Sequence, residues 1–553
     1  MVQVTAHSSP WPQVALDAQQ AVMDSIPEYA RLNVMDWKAR YPPGSDVRPV
    51  AAECGLMTAR ELEITDMAID ATDIIAAIKD RKWSAEEVCL AFGKRACIAH
   101  QMTSCLAEIF LEEGLARARE LDETYKRTGK VVGPLHGLPF DIKEHYRMKG
   151  HRSTVSSVDR LSAPPETEHN TLLQTFEDAG AVFYVRSNAP QFVMHLETHS
   201  FWGETTNPWN TKLTPGGSSG GCSSLLAFGG APISLGGDIG GSLRAPAAAC
   251  GLWTLKPNNQ RVPRENQAVS LGLYQEGITG SNGPLARSLR DCHLFFKTVL
   301  GVQPWLNEQS LVALPWRESA LFKATRPIRL GLMPNDGVVV PQPPMRRAFA
   351  SLVEALKGDP RFELVEYMPF EHKAGVELAH ELYFPDGGKS KRALLASTGE
   401  PILGLSEWIL AHPAVTDHTL DEYSDLLCRR NSFRARYLKH FNESKVDAIL
   451  CPPSYGPAQA LGTTKYWGYT SIFNILDYPA AVFPTGLVAS PKLDPKDPIR
   501  EYLSDYDKYA AEIYEPETHD NAPLSLQLVG RRWHEEDLMH ILGLIAKRLP
   551  LKL

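Results

Sequence analysis

The 553-residue chain contains no run of about 18 consecutive apolar residues, which excludes a membrane-spanning helix by the usual length requirement. Its opening, MVQVTAHSSPWPQ, lacks a basic region leading into an apolar stretch, so a secretory leader is not expected. C-x-x-C pairs are missing too. The nine cysteines (54, 89, 97, 105, 222, 250, 292, 428, 451) are odd in number and scattered, which argues against a disulfide framework and for a reducing, cytoplasmic compartment. Nor is there an excess of positive charge: 57 Lys and Arg against 65 Asp and Glu give a net charge of -8, and no cationic field for nucleic acid or anionic lipid. No internal repeat and no low-complexity linker divides the chain. The terminal Leu551-Lys552-Leu553 matches the peroxisomal Ser-Lys-Leu address at two of three places, but a bulky leucine stands where a small residue belongs, so it reads as coincidence.

What is present is core-forming material. At 43% hydrophobic and 22% charged residues, the composition is that of a large globular protein. Residues 1–57 read as a helical N-terminal extension ending in a polar stretch, Tyr41 to Glu53. Thr58 with Glu61 and Ser84 with Glu87 form capping boxes that open helices between 58 and 127. Beyond them helical and strand-like segments alternate: 171–178 then 182–185, 345–356 then 362–365, 420–441 then 448–450, and Leu524, Leu526 and Leu528 before a helix over 535–549. This rhythm predicts an α/β fold, one large mixed β-sheet core covered by helices. The proline-containing 340–344 and 490–499 are the best spacer candidates and too short for a boundary. One domain over 58–553 is therefore expected to carry the function.

Between Pro215 and Pro257 the chain runs PGGSSGGCSSLLAFGGAPISLGGDIGGSLRAPAAACGLWTLKP. A flexible linker would not carry apolar blocks such as Leu225-Leu226-Ala227-Phe228. A phosphate loop needs a lysine after its last glycine, and none lies between Lys212 and Lys256. Gly216, Ser218 and Gly220 match G-x-S-x-G, but polar Asn210 to Pro215 precedes them where that elbow needs a buried strand. A hydrolytic reading fits better: Gly240 and Gly241 let a carbonyl approach the backbone just before Ser242, and 243–249 reads as a helix start.

The run GGSSGG, with Ser242 of GDIGGSLRAPA after it and Lys256-Pro257 closing it, resembles the signature of the amidase signature family. Upstream, Gly133-Pro134-Leu135-His136-Gly137-Leu138-Pro139-Phe140-Asp141-Ile142-Lys143-Glu144 resembles the same family's lysine segment, and Gln527 to Arg531 is similar to fungal acetamidase-like members. The resemblance extends from about residue 56 onward. It implies a Ser-Ser-Lys triad with Ser242 as nucleophile, Ser218 as bridging serine after a cis Gly217-Ser218 bond, and Lys143 as base. It also implies amide hydrolysis without a cofactor, and a short aliphatic amide as substrate. Period-two alternation puts Phe140 and Ile142 on one strand face and Lys143 on the other, as delivery into a site requires. An isolated lysine is ordinarily a solvated surface charge; here the motif around it reverses that expectation. Amides of Ile239, Gly240, Gly241 and Ser242 are the candidate oxyanion donors, Gly217 and Ser219 support the turn, and Asp238 with Arg244 is either a buried ion pair fixing that loop or a solvated one. Cys222 stands where many relatives have an acidic or other small residue.

Other motifs carry less. His195-Leu196-Glu197-Thr198-His199 spaces two histidines as on one helix face, but matches no zinc-protease order, so no metal is expected. Asp291-Cys292-His293 falls in an amphipathic helix read over 285–300, where neighbours diverge, so Cys292 reads as a structural thiol. Tyr383, Phe384, Trp408, Tyr466 and Trp467 are candidate pocket walls. Rival readings are a glutamine amidase subunit of an amidotransferase and a noncatalytic binding protein on the same fold. The expected partner is a small-molecule amide, with no nucleic acid and no membrane span; a homodimer is left open.

Overall fold

The computed structural model describes residues 11–268, 276–323 and 326–549; the terminal Leu551-Lys552-Leu553 and the first ten residues lie outside them. The described strands are β1 (Leu106–Ile109), β2 (Pro139–Lys143), β3 (Val182–Ser187), β4 (His199–Ser200), β5 (Gly203–Glu204), β6 (Ile233–Asp238), β7 (Trp253–Lys256), β8 (Ser281–Ala286), β9 (Ile328–Leu332), β10 (Phe362–Glu366), β11 (Ala448–Cys451), β12 (Ala480–Val488) and β13 (Pro523–Val529). Eleven of them form one sheet in the order β1-β3-β2-β6-β8-β7-β12-β13-β11-β9-β10, while β4 and β5 make a small hairpin. The sheet is mixed: β2 runs parallel to β3 and β6, β6 antiparallel to β8, and β9 parallel to β10 and β11. The expected α/β architecture with a single large mixed sheet is the one observed.

Central strands are apolar because both faces are covered. Along β11, Ala448 and Leu450 enter one core cluster while Ile449 and Cys451 enter the other, as a period of two demands. Helices close on these faces through their own caps. Thr58 and Ser84 accept from the amides of Glu61 and Glu87 in the two expected capping boxes, and Asp70 and Thr419 open two more. The helices Thr171–Asp178, Pro343–Leu356, Leu420–Ser444 and Glu535–Ala546 fall where the periodicity predicts them.

Three local expectations need correction. The stretch 58–127 is not helix throughout: the four-residue β1 interrupts it, too short for its own period to register between two long helices. The helix read over 285–300 begins at Leu289, because Ser288 caps it and 285–286 belong to β8. The 490–499 segment is no spacer, since Asp494 and Asp497 pair with Arg347 and Arg346 at 2.6 Å. In the N-terminal segment, Val22, Ile26, Ala30, Val47, Val50 and Met57 join the same core as Phe92 and Ile98.

Two parallel strands set up the functional region. Asp141 and Ile142 of β2 pair with Ser234 and Leu235 of β6, so both strands end on the same side of the sheet. Lys143 closes β2, and the turn after Asp238 leaves β6 beside it.

Candidate active site

Lys143, Ser218, Asp238, Ile239 and Ser242 line one cavity of about 1260 Å³. The sequence scatters them over a hundred residues; the sheet edge assembles them. Lys143 Nζ lies 2.6 Å from Ser218 Oγ, a hydrogen bond in which the amine donates when protonated and can accept when neutral. Lys143 is 1% exposed, and burial pushes its pKa from 10.5 down to about 7, against the opposing pull of Cys222, Asp238 and Glu144. A neutral amine at neutral pH is thus available next to a hydroxyl. Ser242 follows β6 after three turn residues, Ile239 to Gly241, and precedes the helix Arg244–Cys250, so its hydroxyl is carried on a strand–turn–helix connection.

The Gly217–Ser218 peptide is cis. A Cβ on Gly217 would lie 2.5 Å from the His195 carbonyl and 2.6 Å from Glu197 N and O, so only glycine fits there. Ser219 caps the helix Gly220–Phe228 in position only: its hydroxyl reaches Gly237 O at 3.5 Å, and it leaves the helix amides without a side-chain cap. Ser223 Oγ donates to Pro215 O at 2.7 Å and closes the loop from inside. Cys222 is fully buried beneath the site, and burial raises its thiol pKa well above the ordinary value.

Asp238 is the organising acceptor of the second loop. Its carboxylate accepts from Gly241 N at 2.9 Å, Leu243 N at 3.1 Å, Arg244 Nε at 3.0 Å and Asn474 Nδ2 at 2.8 Å. The Asp238–Arg244 pair is wholly buried, at 3.0 Å, which decides between the two alternatives the sequence leaves open. Burial alone would raise the Asp238 pKa; the Arg244 guanidinium, with Lys256 and Asn474, outweighs it and holds the carboxyl well below its usual range. Arg244 also donates to Thr470 O at 2.9 Å, Asn474 Oδ1 at 2.6 Å and Gln527 Oε1 at 3.1 Å. Gly241 adopts φ +136°, a backbone only glycine takes readily. Its amide donates to Asp238, so Gly241 shapes the turn.

The expected aromatic walls do not belong to this cavity, although Tyr466 and Trp467 line a second, smaller one beside Gly216 and Thr470. Among the described residues lining the large cavity, none of Tyr383, Phe384, Trp408, Tyr466 and Trp467 appears. Tyr383 instead donates its hydroxyl to Ile239 O at 2.6 Å, bracing the loop from behind. Trp467 packs against His195, Trp408 and Tyr383. His195 and His199 share no helix: His195 is buried with Nδ1 accepting from Glu197 N at 3.2 Å, while His199 starts the β4 hairpin in solvent. Among the described residues no group of three or more His, Cys, Asp or Glu could hold a metal ion, and no helix is long and apolar enough to cross a membrane. Cys292 is buried in its helix, and Asp291 turns away to accept from the amides of Ala71 and Thr72 at 3.0 and 2.9 Å.

Sequence reasoning missed Tyr383 as a loop brace, Thr470, Asn474 and Gln527. One signal existed: Gln527 is a polar residue inside the apolar run of β13, and such a group must find a buried partner.

Comparison with known proteins places these features in a wider set. The family model described as Amidase matches residues 87–539. A Schizosaccharomyces pombe protein named as an amidase is 46% identical over 506 residues, covering 91% of this chain and 93% of its own. The acetamidase of Emericella nidulans is 32% identical over 552 residues, with 98% of each chain covered. A solved structure of a fatty acid amide hydrolase superimposes with a TM-score of 0.91 at 32% identity, over 98% of this chain and 95% of that one.

Proposed function

We propose, from the premise that this chain belongs to the amidase signature family and is an amide hydrolase, that it cleaves its substrate through an acyl-enzyme on Ser242. The observation that carries the reading is the 2.6 Å contact between buried Lys143 and Ser218 in the cavity that Ser242 also lines. Ser242 Oγ attacks the amide carbonyl carbon. Its proton passes to Ser218 Oγ, whose own proton passes to neutral Lys143 Nζ. The amides of Ile239, Gly240 and Ser242 hold the oxyanion. The C–N bond then breaks as the proton returns through Ser218 to the leaving nitrogen, releasing ammonia or an amine. Water attacks the ester carbonyl and gives a proton to the same relay; the bond from Ser242 Oγ to the acyl carbon then breaks as the relay returns that proton to Oγ, and the acid departs as its carboxylate after ionising in solvent. Residues 58–553 form the catalytic unit, with 1–57 as an N-terminal extension, and the reaction needs no cofactor.

A short aliphatic amide is the first substrate to test, supported by the likeness to acetamidases. A specific observation favours extended amides beside it: the cavity of about 1260 Å³ exceeds the usual range of roughly 300–1,000 Å³ for small-ligand sites. A screen over primary and N-substituted amides of graded acyl length, read by release of ammonia or amine, separates the two. The mechanism is tested with Ser242→Ala. Loss of a nucleophile can cost on the order of 10⁶ in turnover, so the variant should be folded, inert to a fluorophosphonate and inactive. Retention of a tenth of the wild-type rate would remove Ser242 from the role.

A further inference from the structure

Glu197 sits at the centre of the His195–His199 stretch, is 4% exposed, and has no part in the reaction above. Its Oε2 accepts from Gly462 N at 2.7 Å, and its Oε1 accepts from Thr463 N at 2.9 Å and Thr464 N at 2.7 Å. Three amide donors on one carboxylate fix the strap 462–464. Burial pushes this carboxyl up to about 7, against those three donors. The strap runs on through Trp467 into the helix Gly468–Ile475, where Thr470 Oγ1 donates to Gly240 O at 2.7 Å, on the Ser242 side of the cavity. The backbone of Glu197 meets the other serine loop, since its N and O are the atoms that leave no room for a Cβ on Gly217. Next to it, Thr198 Oγ1 donates to Gly216 O at 3.0 Å and accepts from Gly220 N at 3.2 Å, gripping both flanks of Ser218.

We propose that Glu197 is a positioning residue: it ties the support beneath Ser218 to the strap that braces the Ser242 loop, and so sets the two hydroxyls in relay register. The proposal rests on the Ser-Ser-Lys reading. It is distinct from that reading because Glu197 touches neither the substrate nor a relay atom. Misplacing reacting groups by about 1 Å can cost roughly 100-fold, which sets the expected effect.

The test is the kinetics of labelling by a fluorophosphonate, resolved into a maximal rate and a half-saturating concentration, on variants whose fold is checked by circular dichroism. Glu197→Ala should lower the maximal rate about 100-fold with little change in half-saturation. Glu197→Gln keeps an acceptor for the Thr463 and Thr464 amides and should recover most of the rate. In a Ser218→Ala background the Glu197→Ala loss should vanish, because the relay being positioned is already gone. If Glu197→Ala does not fold, Glu197→Asp, too short to reach all three amides, carries the same expectation. A wild-type maximal rate in the variant, a change confined to half-saturation, or an undiminished loss in the Ser218→Ala background would overturn the clamp. Fast labelling of Ser242→Ala or Ser218→Ala would instead overturn the underlying triad, a separate result.

Discussion

Asp238 and Lys143 close neighbouring parallel strands, face the same cavity and are almost equally buried, yet their surroundings differ in kind. Asp238 receives a guanidinium, an amide side chain and backbone N–H groups, so its charge is retained and held far from titration. Lys143 meets a hydroxyl at 2.6 Å, and burial drives its proton off near neutrality. The same desolvation acts on both. What decides the outcome is whether opposite charge and donors are supplied to offset it, and one sheet edge thereby carries a fixed anion beside a labile base.

The sharpest way to break this contrast is to remove the base. Lys143→Ala should lower acylation on the order of 10⁴-fold, a loss within the range seen when one member of a catalytic unit is deleted. Its wild-type partner behaviour is a pH profile. Because the protonated amine cannot accept from Ser218, acylation should climb as pH rises through about 7, and Lys143→Ala should flatten that limb. Single-turnover acylation measured between pH 5 and 9 checks both, and a variant that keeps the limb would assign the titration to another group. Ser218→Ala should be comparably severe, and the double variant no worse than either, since the proton passes through both in series.

How much of this is legible in the sequence differs between the two strands. The Lys143 strand and the two serines are local: a period of two, a glycine-dense turn and fixed spacing carry them, and the structure brings all three side chains to one cavity. The cis bond follows the resemblance. The Asp238 site is written across the chain. Asn474, on the helix Gly468–Ile475, and Gln527, on β13, stand more than two hundred residues away and are brought in only by the tertiary fold, so no local pattern could name them. The Gly241 contact with Asp238 is hidden for a subtler reason, because glycine density signals backbone freedom and says nothing of which amide a neighbouring carboxylate will take. Tyr466 and Trp467 line the smaller cavity and the other expected aromatic walls neither of the two, a division that is hidden because an aromatic ring has the same sequence appearance in a core as in a pocket wall.

Breaking the paired side gives a smaller effect of another type. Asp238→Asn leaves the Arg244 guanidinium buried without its counter-charge, a change that costs about 3–5 kcal/mol when a buried pair loses one partner. Stability should therefore fall at neutral pH, read as a lowered thermal midpoint. The wild-type contribution is present above the ordinary carboxylate pKa and is lost only as pH falls through the depressed folded value, so the deficit of Asp238→Asn should be constant from about pH 5 upward and narrow in strong acid. A deficit that appears only near pH 7 would mean that Lys143, not Asp238, sets the pH dependence of this edge.

The smallest expected effect is at Ser219, the residue beside the bridging serine. Both hydroxyls are buried in the same glycine turn, and only the family resemblance, not any local pattern, ranks one above the other in the sequence. Their partners do. Ser218 Oγ lies 2.6 Å from a titrating amine, whereas Ser219 Oγ reaches Gly237 O only at 3.5 Å, the outer limit of a hydrogen bond. Even a well-formed neutral hydrogen bond contributes only about 0.5–1.5 kcal/mol net, and one at this limiting distance belongs at the low end of that range, so Ser219→Ala should change acylation by no more than about threefold. Ser218→Ala and Ser219→Ala, measured side by side, should thus differ by orders of magnitude across a single peptide unit. A tenfold or greater loss in Ser219→Ala without loss of the near-ultraviolet signature of the fold would place the second hydroxyl in the proton path, and the division between a labile relay and a fixed scaffold would have to be redrawn inside the turn itself.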